Sequence, residues 1–319
     1  MGKYGKWLKL IGVGLWVYIV LQLDLAGIGE VLQVMNLKWF LLAFIFLAGM
    51  FLFKALRWRT VLLLQGVHYG LIKTVGISFV SSFFGLMIPG KMGDIIKVSY
   101  VKRSGLSVVR GLVSVLLDRV YDLLVLLLFS VFGLVYFSGM FAAAVRDIGI
   151  MLLVLALAAV FLVAQRERIL SVVNKLLKFA LNASSYETIS QEWSSFKEEF
   201  TAISKKTVIP MSAFSVLTYL CMFCQFFALA CGLGLVAPFL YLGLSLSLAT
   251  LVSLLPISIG GLGTREAVFI LMLGKIAISP ESAVLLSFID LVVFAVLLPG
   301  IFTLPFWLTK WHEDGPLAS

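Results

Sequence analysis

The amino-acid sequence predicts an all-α, polytopic transmembrane helical bundle with about six full spans and two re-entrant hairpins. The chain has 319 residues, of which 61% are hydrophobic and 13% are charged. A soluble domain of this size would carry about a quarter charged residues, so lipid must solvate much of this protein. The three cysteines share one apolar stretch and give no disulfide framework. They are Cys221, Cys224 and Cys231.

Six stretches are long and apolar enough to cross a bilayer, which takes roughly 20 residues. The first of them follows three lysines and is not closed by a small-residue cleavage site, so we interpret it as a retained helix and not as a signal peptide. The predicted spans are 7–23, 37–53, 118–138, 148–164, 209–231 and 284–308.

A polar insert, residues 165–207, divides the single predicted membrane domain into halves 1–164 and 208–319. Apolar residues in the insert recur at helical spacing between Glu and Lys, which favours an amphipathic helix on the cytoplasmic membrane surface. A short soluble hairpin is the alternative. The spaced residues are Trp193, Phe196, Phe200 and Ile203.

Two further apolar segments, 73–89 and 239–255, are each ended by Pro and Gly residues. Most of the 25 Lys and Arg residues lie between the spans, and the positive-inside rule expects them on the cytoplasmic side. This cytoplasmic location is possible if two segments form re-entrant hairpins that enter the membrane from opposite faces, break and return. These segments are 73–103 and 239–277. Both termini are then cytoplasmic, in a multi-pass protein of the cell membrane.

Broken helices in corresponding places of two halves indicate an inverted pseudo-repeat with a binding site near the membrane midplane. Irregular backbone at that depth needs protein or a water-filled cavity around it. The alternative is that Pro and Gly only kink ordinary spanning helices. The predicted hinge residues are Pro89, Gly90, Gly93, Pro256, Gly260, Gly261 and Gly263.

Charged residues stand where an apolar environment is expected. Asp118 and Asp122 are four apart at the start of a predicted span, so they share one helix face and need a cation or water. Arg119 is expected to pair with another element. Arg265 and Glu266 follow the second break at a half-helix N terminus, a position that favours anions.

We predict that Lys91, Arg119 and Arg265 meet a lipid phosphate, with Asp94, Asp118, Asp122 and Glu266 as their partners. Interior ion pairs that only fix helix packing are the alternative, and for Lys91 and Asp290 that structural interpretation is preferred. Arg57-Trp58-Arg59 is interpreted as an interfacial anchor that could also gather anionic headgroups.

The ordered set of motifs resembles the lysylphosphatidylglycerol synthase transmembrane family. The similarity runs from about residue 55 to residue 270. The motifs are Leu56-Arg57-Trp58-Arg59, Ile88-Pro89-Gly90-Lys91-Met92-Gly93-Asp94 with Lys97, Asp118-Arg119 with Asp122, and Pro256 through Gly261-Leu262-Gly263 to Glu266.

The resemblance implies a flippase-like protein that moves a phospholipid or polyprenyl-phosphate lipid between leaflets, with Arg57 and Lys97 among the headgroup-binding residues. Aminoacyl transfer in the family resembles the work of an additional soluble domain, which this chain is not expected to carry. Asp94 and Asp118 stand where Glu is common, and Lys97 stands where Arg is common. Lys lacks the bidentate fork of Arg.

The leading hypothesis is therefore a lipid transporter with an anionic headgroup substrate. It has membrane lipids as partners, no cofactor, no metal and no nucleic acid, and homo-oligomer formation stays open. One alternative is an integral-membrane phosphatase or glycosyltransferase acting on a lipid-linked phosphate, with Asp94, Asp118 and Asp122 as acid, base or metal ligands. Another is a membrane scaffold. Neither a phosphate loop nor a nucleophile or zinc motif is present in the sequence.

Overall fold

A computed structural model describes residues 35–87, 94–140, 205–254 and 261–308, and these ranges are helical without a strand. The predicted spans 7–23 and 148–164 lie outside the described residues, as does nearly all of the insert 165–207. Several predicted site and hinge residues also fall outside them. These are Pro89, Gly90, Lys91, Gly93, Pro256 and Gly260.

Two long helices, α1 (Leu37–Leu64) and α5 (Lys205–Gly232), pack along each other. The Asn36 side chain caps α1 by accepting a hydrogen bond from the Lys38 backbone amide. The backbone amide of Asn36 donates to the Gly232 carbonyl oxygen at 2.8 Å. The start of α1 is thereby tied to the end of α5, which makes the two antiparallel. At about 1.5 Å per residue, each is roughly 42 Å long.

In the N-terminal half, the short helices α2 (Leu71–Met87) and α3 (Ile96–Arg103) precede the long helix α4 (Val108–Tyr136). Ser107 caps α4 by accepting from the Arg110 amide. The prediction that this helix begins at residue 118 is wrong, because the helix begins ten residues earlier, at Val108. The acidic residues therefore occupy the interior of α4 and not its first turn.

The C-terminal half repeats this order with α6 (Phe239–Val252), α7 (Thr264–Gly274) and α8 (Pro280–Phe288). Helix α8 continues through a π-helical stretch, Ile289–Leu297, into α9 (Leu298–Leu308). A short apolar helix, a break, a short helix and a long helix thus occur in both halves.

Three helices of the described ranges are long and apolar enough to cross a membrane: Leu37–Leu64, Thr207–Gly232 and Pro280–Thr303. They contain all or most of the predicted spans 37–53, 209–231 and 284–308. The apolar helices of the two broken segments, Leu71–Gly85 and Phe239–Val252, are shorter than a full span. Large apolar side chains on the outside of the bundle are solvent-exposed, as a lipid-facing surface requires. They include Leu41, Ile45, Leu128, Val135 and Ile301.

The backbone of the second break depends on two glycines. Gly261 and Gly263 have φ angles of +91° and +83°, which L side chains adopt at a cost of roughly 1–2 kcal/mol per residue. A Cβ on Gly261 would also lie 2.7 Å from the Ser253 Cβ.

We therefore expect Gly261→Ala to lower the melting temperature of the purified protein in detergent, because strain and a steric clash add together. Gly274→Ala is the matched control. Gly274 ends α7 with open space around it, and Ala is the better helix former by up to about 1 kcal/mol. Equal melting temperatures for the two variants would contradict this account of the break.

Candidate functional site

Arg57 on α1 lies between the two acidic residues of α4. Its side chain is fully buried, and its Nε is 2.7 Å from Asp118 Oδ1 while its Nη1 is 2.7 Å from Asp122 Oδ1. The four-residue spacing of the carboxylates lets one guanidinium hold both of them. Arg57 Nη1 also donates to Ser215 Oγ on α5 at 3.0 Å. One side chain thus joins three helices.

The interpretation of Arg57-Trp58-Arg59 as an interfacial anchor is wrong for its first two residues. Helix α1 continues to Leu64, and Arg57 and Trp58 are both completely buried. The Trp58 indole nitrogen donates to Ser114 Oγ at 3.3 Å. Arg59 is half-buried and donates to the Tyr69 carbonyl oxygen.

Lys97 on α3 is the second buried cation of this cluster. Its Nζ is 2.6 Å from Asp118 Oδ2 and 3.8 Å from Asp94 Oδ1, and it lies 5.0 Å from the centre of the Trp58 ring. Asp94 also accepts from the Ser81 hydroxyl and pairs with Arg119. We call these six charged residues the N-terminal cluster, which is electrically neutral. They are Arg57, Lys97, Arg119, Asp94, Asp118 and Asp122.

The C-terminal half has a smaller polar group around α7. Arg265 Nη2 pairs with Asp290 in the π-helical stretch, and the Gln225 side-chain amide donates to Asp290 Oδ1 at 2.8 Å. Glu266 is completely buried and accepts from the Gly263 amide at 2.6 Å and the Ser287 hydroxyl at 2.8 Å. The N terminus of α7 is therefore capped by a carboxylate of the chain itself.

The two halves contain related ion pairs of opposite polarity. Each pair joins the residue at the start of the short helix after the break to a residue on the next long helix, 25 positions further on. The acid precedes the base in Asp94–Arg119, and the base precedes the acid in Arg265–Asp290. The predicted partner of Arg119 on another element is thus Asp94.

A cavity of about 220 Å³ lies between the halves and reaches both ion pairs. Its walls combine apolar side chains, including Leu47, Phe51 and Phe294, with hydroxyl and amide groups. Among the described residues, its charged lining consists of Lys54, Arg119, Arg265, Asp122 and Asp290.

A family model described as the lysylphosphatidylglycerol synthase TM region matches residues 7–301. The chain belongs to this family. It is accordingly a membrane protein involved in lipid handling, and the resemblance carried by its motifs is confirmed. A comparison with curated proteins gave no match.

In this member of the lysylphosphatidylglycerol synthase transmembrane family, the predicted site residues that the structure describes fall into two groups. Arg119, Asp122 and Arg265 line the cavity. The others do not line it, and they hold the surrounding helices together through the contacts above. They are Arg57, Asp94, Lys97, Asp118 and Glu266. Within the described part of the chain, no three His, Cys, Asp or Glu side chains are grouped to hold a metal ion.

Three cavity residues were missed or undervalued by the sequence analysis. Lys54 was counted with a loop, since the apolar window ended at residue 53, although α1 continues past it. Gln225 and Asp290 each stand alone in an apolar run, and that isolation was the available signal. Asp290 was interpreted as structural, yet it lines the cavity beside Arg265.

Asp118→Asn is expected to destabilise this family member strongly, because it leaves Arg57 and Lys97 buried without their shared carboxylate. Breaking a buried ion pair by removing one partner costs about 3–5 kcal/mol. The measurement is thermal unfolding of the purified protein in detergent. Glu281→Gln, in the first turn of α8, is the control and should melt like the wild type. A melting temperature for Asp118→Asn within a degree of the wild type would show that the cluster does not support the fold.

Proposed function

We propose that the protein is a flippase-like transporter that moves an anionic phospholipid or polyprenyl-phosphate-linked lipid between leaflets. The observation that supports this most is the cavity between the two halves, which three cationic side chains enter. They are Lys54 from α1, Arg119 from α4 and Arg265 from α7. The broken-helix segments of both halves flank it, as at the substrate sites of many transporters.

The energetic problem of lipid transfer explains why such a cavity would be needed. A charged headgroup in hydrocarbon costs several kcal/mol or more, since no hydrogen-bond partners replace its water. Cations, hydroxyls and the Gln225 amide in the lining can replace those partners. The acyl chains can stay in the bilayer, because the outside of the bundle is apolar.

The ion pairs of opposite polarity support a role for both halves. Arg119 and Arg265 each enter the cavity while bound to a carboxylate of their own half, Asp94 and Asp290. These carboxylates neutralise the cations when no headgroup is present and so make an empty cavity less costly.

The proposal includes an arrangement in the cell membrane. In it, the chain forms a single membrane domain of two inverted halves, 1–164 and 208–319, with re-entrant hairpins 73–103 and 239–277. Both termini and the insert 165–207 are cytoplasmic. The distribution of Lys and Arg supports this orientation, and the short helices of the broken segments are compatible with it.

Leaflet exchange of a headgroup-labelled anionic phospholipid in proteoliposomes tests the proposal. Exchange without any covalently altered lipid is the expected result. An altered lipid would instead support the enzyme alternative. If the protein causes neither leaflet exchange nor a chemical change in the lipid, a membrane scaffold is the remaining function.

Arg119→Ala should lower the exchange rate at least about tenfold, because a charge-assisted contact contributes about 1.5–3 kcal/mol. Its thermal stability should fall less than that of Asp118→Asn, since Asp118 holds two buried cations whereas Asp94 loses one partner and keeps the Ser81 hydroxyl and the Lys97 amine. Lys102→Ala, an exposed change on α3, is the control for loss of one positive charge. Unchanged exchange in Arg119→Ala would remove Arg119 from the transport site.

A further inference from the structure

Arg265 has a buried donor that the protein leaves without an acceptor. The residue is 93% buried and lines the cavity, and its Nη2 is bound to Asp290. Its Nε has no hydrogen-bond acceptor among the described residues. An unsatisfied buried donor is costly, and one on a charged group more so. An acceptor from outside the chain would remove this cost.

Lys54 offers a second cationic donor in the same cavity. It is half-buried on α1, and the structure gives its amine no ion pair within 4 Å and no hydrogen bond to any described residue. Its charge acts on Asp122 and Asp118 only from a longer distance. The two other cations of the described lining, Arg119 and Arg265, have carboxylate partners within 4 Å. Lys54 and Arg265, whose Nε lacks an acceptor, are therefore the cations of the described lining that an incoming anion can bind.

The α7 N terminus is a poorer anion site than the sequence indicated. The Glu266 carboxylate already accepts from the Gly263 amide, and Ser287 donates to its other oxygen. An anion there would meet a carboxylate of the protein. This directs the incoming anion to the side chains in the cavity and away from the helix end.

The charges of the lining indicate what kind of phosphate fits. Its described residues contribute three cations and two carboxylates, which leaves one positive charge. A phosphodiester carries one negative charge and would neutralise the net charge of these described residues. A phosphomonoester carries about 1.5 to 2 negative charges at pH 7 and would leave an excess of negative charge beside Asp122 and Asp290. The cavity volume of about 220 Å³ is sufficient for a phosphate group, since on the same measure one water molecule needs only roughly 10–15 Å³.

We propose that Lys54 and the Nε edge of Arg265 form a binding subsite for a singly charged phosphodiester. The subsite discriminates against phosphomonoesters. The inference rests on the proposed function for its setting, a lipid headgroup in the cavity, and it narrows the substrate to lipids whose phosphate is a diester. Lys54 is a binding residue of the subsite, and Asp290 sets its charge selectivity.

The test measures ligand binding to the purified full-length chain in uncharged detergent. The probes are dihexanoyl phosphatidylmethanol and dihexanoyl phosphatidic acid, which differ by one methyl group and the charge it removes. Dihexanoylglycerol is the phosphate-free control, and dimethyl phosphate represents a free diester. Wild type should bind phosphatidylmethanol more tightly than phosphatidic acid and should not bind dihexanoylglycerol.

Lys54→Met should weaken phosphatidylmethanol binding by about tenfold or more, and Lys54→Arg should restore it. Lys38→Met removes the same charge from an exposed position of the same helix and should bind like the wild type. Asp290→Asn keeps an acceptor for Gln225 but removes one negative charge from the lining, so the net charge rises by one. It should therefore raise the affinity for phosphatidic acid relative to phosphatidylmethanol by about tenfold.

Three results would overturn the subsite: equal or tighter wild-type binding of phosphatidic acid, unchanged binding in Lys54→Met, or no binding of any phosphate probe. If Lys54→Met does not fold, the subsite is still tested by the wild-type preference for phosphatidylmethanol over phosphatidic acid and by the affinities of Asp290→Asn. Lys54-dependent binding of dimethyl phosphate alone would support the subsite with a free diester as ligand. Lys54-dependent lipid binding without leaflet exchange would support the subsite and refute the transport function. Leaflet exchange by the wild type, together with unchanged phosphatidylmethanol binding in Lys54→Met, would support the transport function and refute the subsite.

Discussion

The interior of this protein depends on the Arg57 guanidinium held between Asp118 and Asp122. All three side chains lie in helices that are largely apolar, where none of them would be stable alone. Lys97 completes the arrangement by taking the second oxygen of Asp118. The relative positions of α1, α3 and α4 are therefore set by charge neutrality as well as by apolar packing. The cavity that borders this cluster keeps its shape for the same reason.

The sequence predicted the class of fold and the need for internal neutralisation, but it did not predict the partners. The four-residue spacing of Asp118 and Asp122 showed that a cation had to meet both. That cation lies 61 positions away in the chain, and such a contact is determined by helix packing, which periodicity does not encode. The predicted end of helix α1 was wrong for a related reason. An apolar window ends at the first charge, Lys54, whereas the helix continues because its charges are paired or face a cavity.

The candidate site was predicted in part for similar reasons. Arg119, Asp122 and Arg265 are flanked by sequence features that mark them, namely a second nearby acid or a glycine-rich break. Glu266 carries the same mark, yet it caps α7 and does not line the cavity. Gln225 and Asp290 become informative only when α5 and the π-helical stretch are placed together, where the amide and the carboxylate meet. Single polar residues in apolar runs should therefore be considered as candidate cavity residues.

The distance along the chain between Arg57 and Asp118 has a consequence for biosynthesis. A ribosome adding about 5–20 residues per second needs roughly 3–12 s to make the 61 intervening positions. An α1 that enters the bilayer during that interval carries an unneutralised arginine, which costs up to about 2.5–3.5 kcal/mol for an arginine at the helix centre. The long apolar part of α1, with a mean hydropathy of 2.2, offsets this cost. The apolar part of α1 is thus sufficient to hold the helix in the bilayer before Asp118 exists, and the ion pair with Arg57 forms only after α4 has been made.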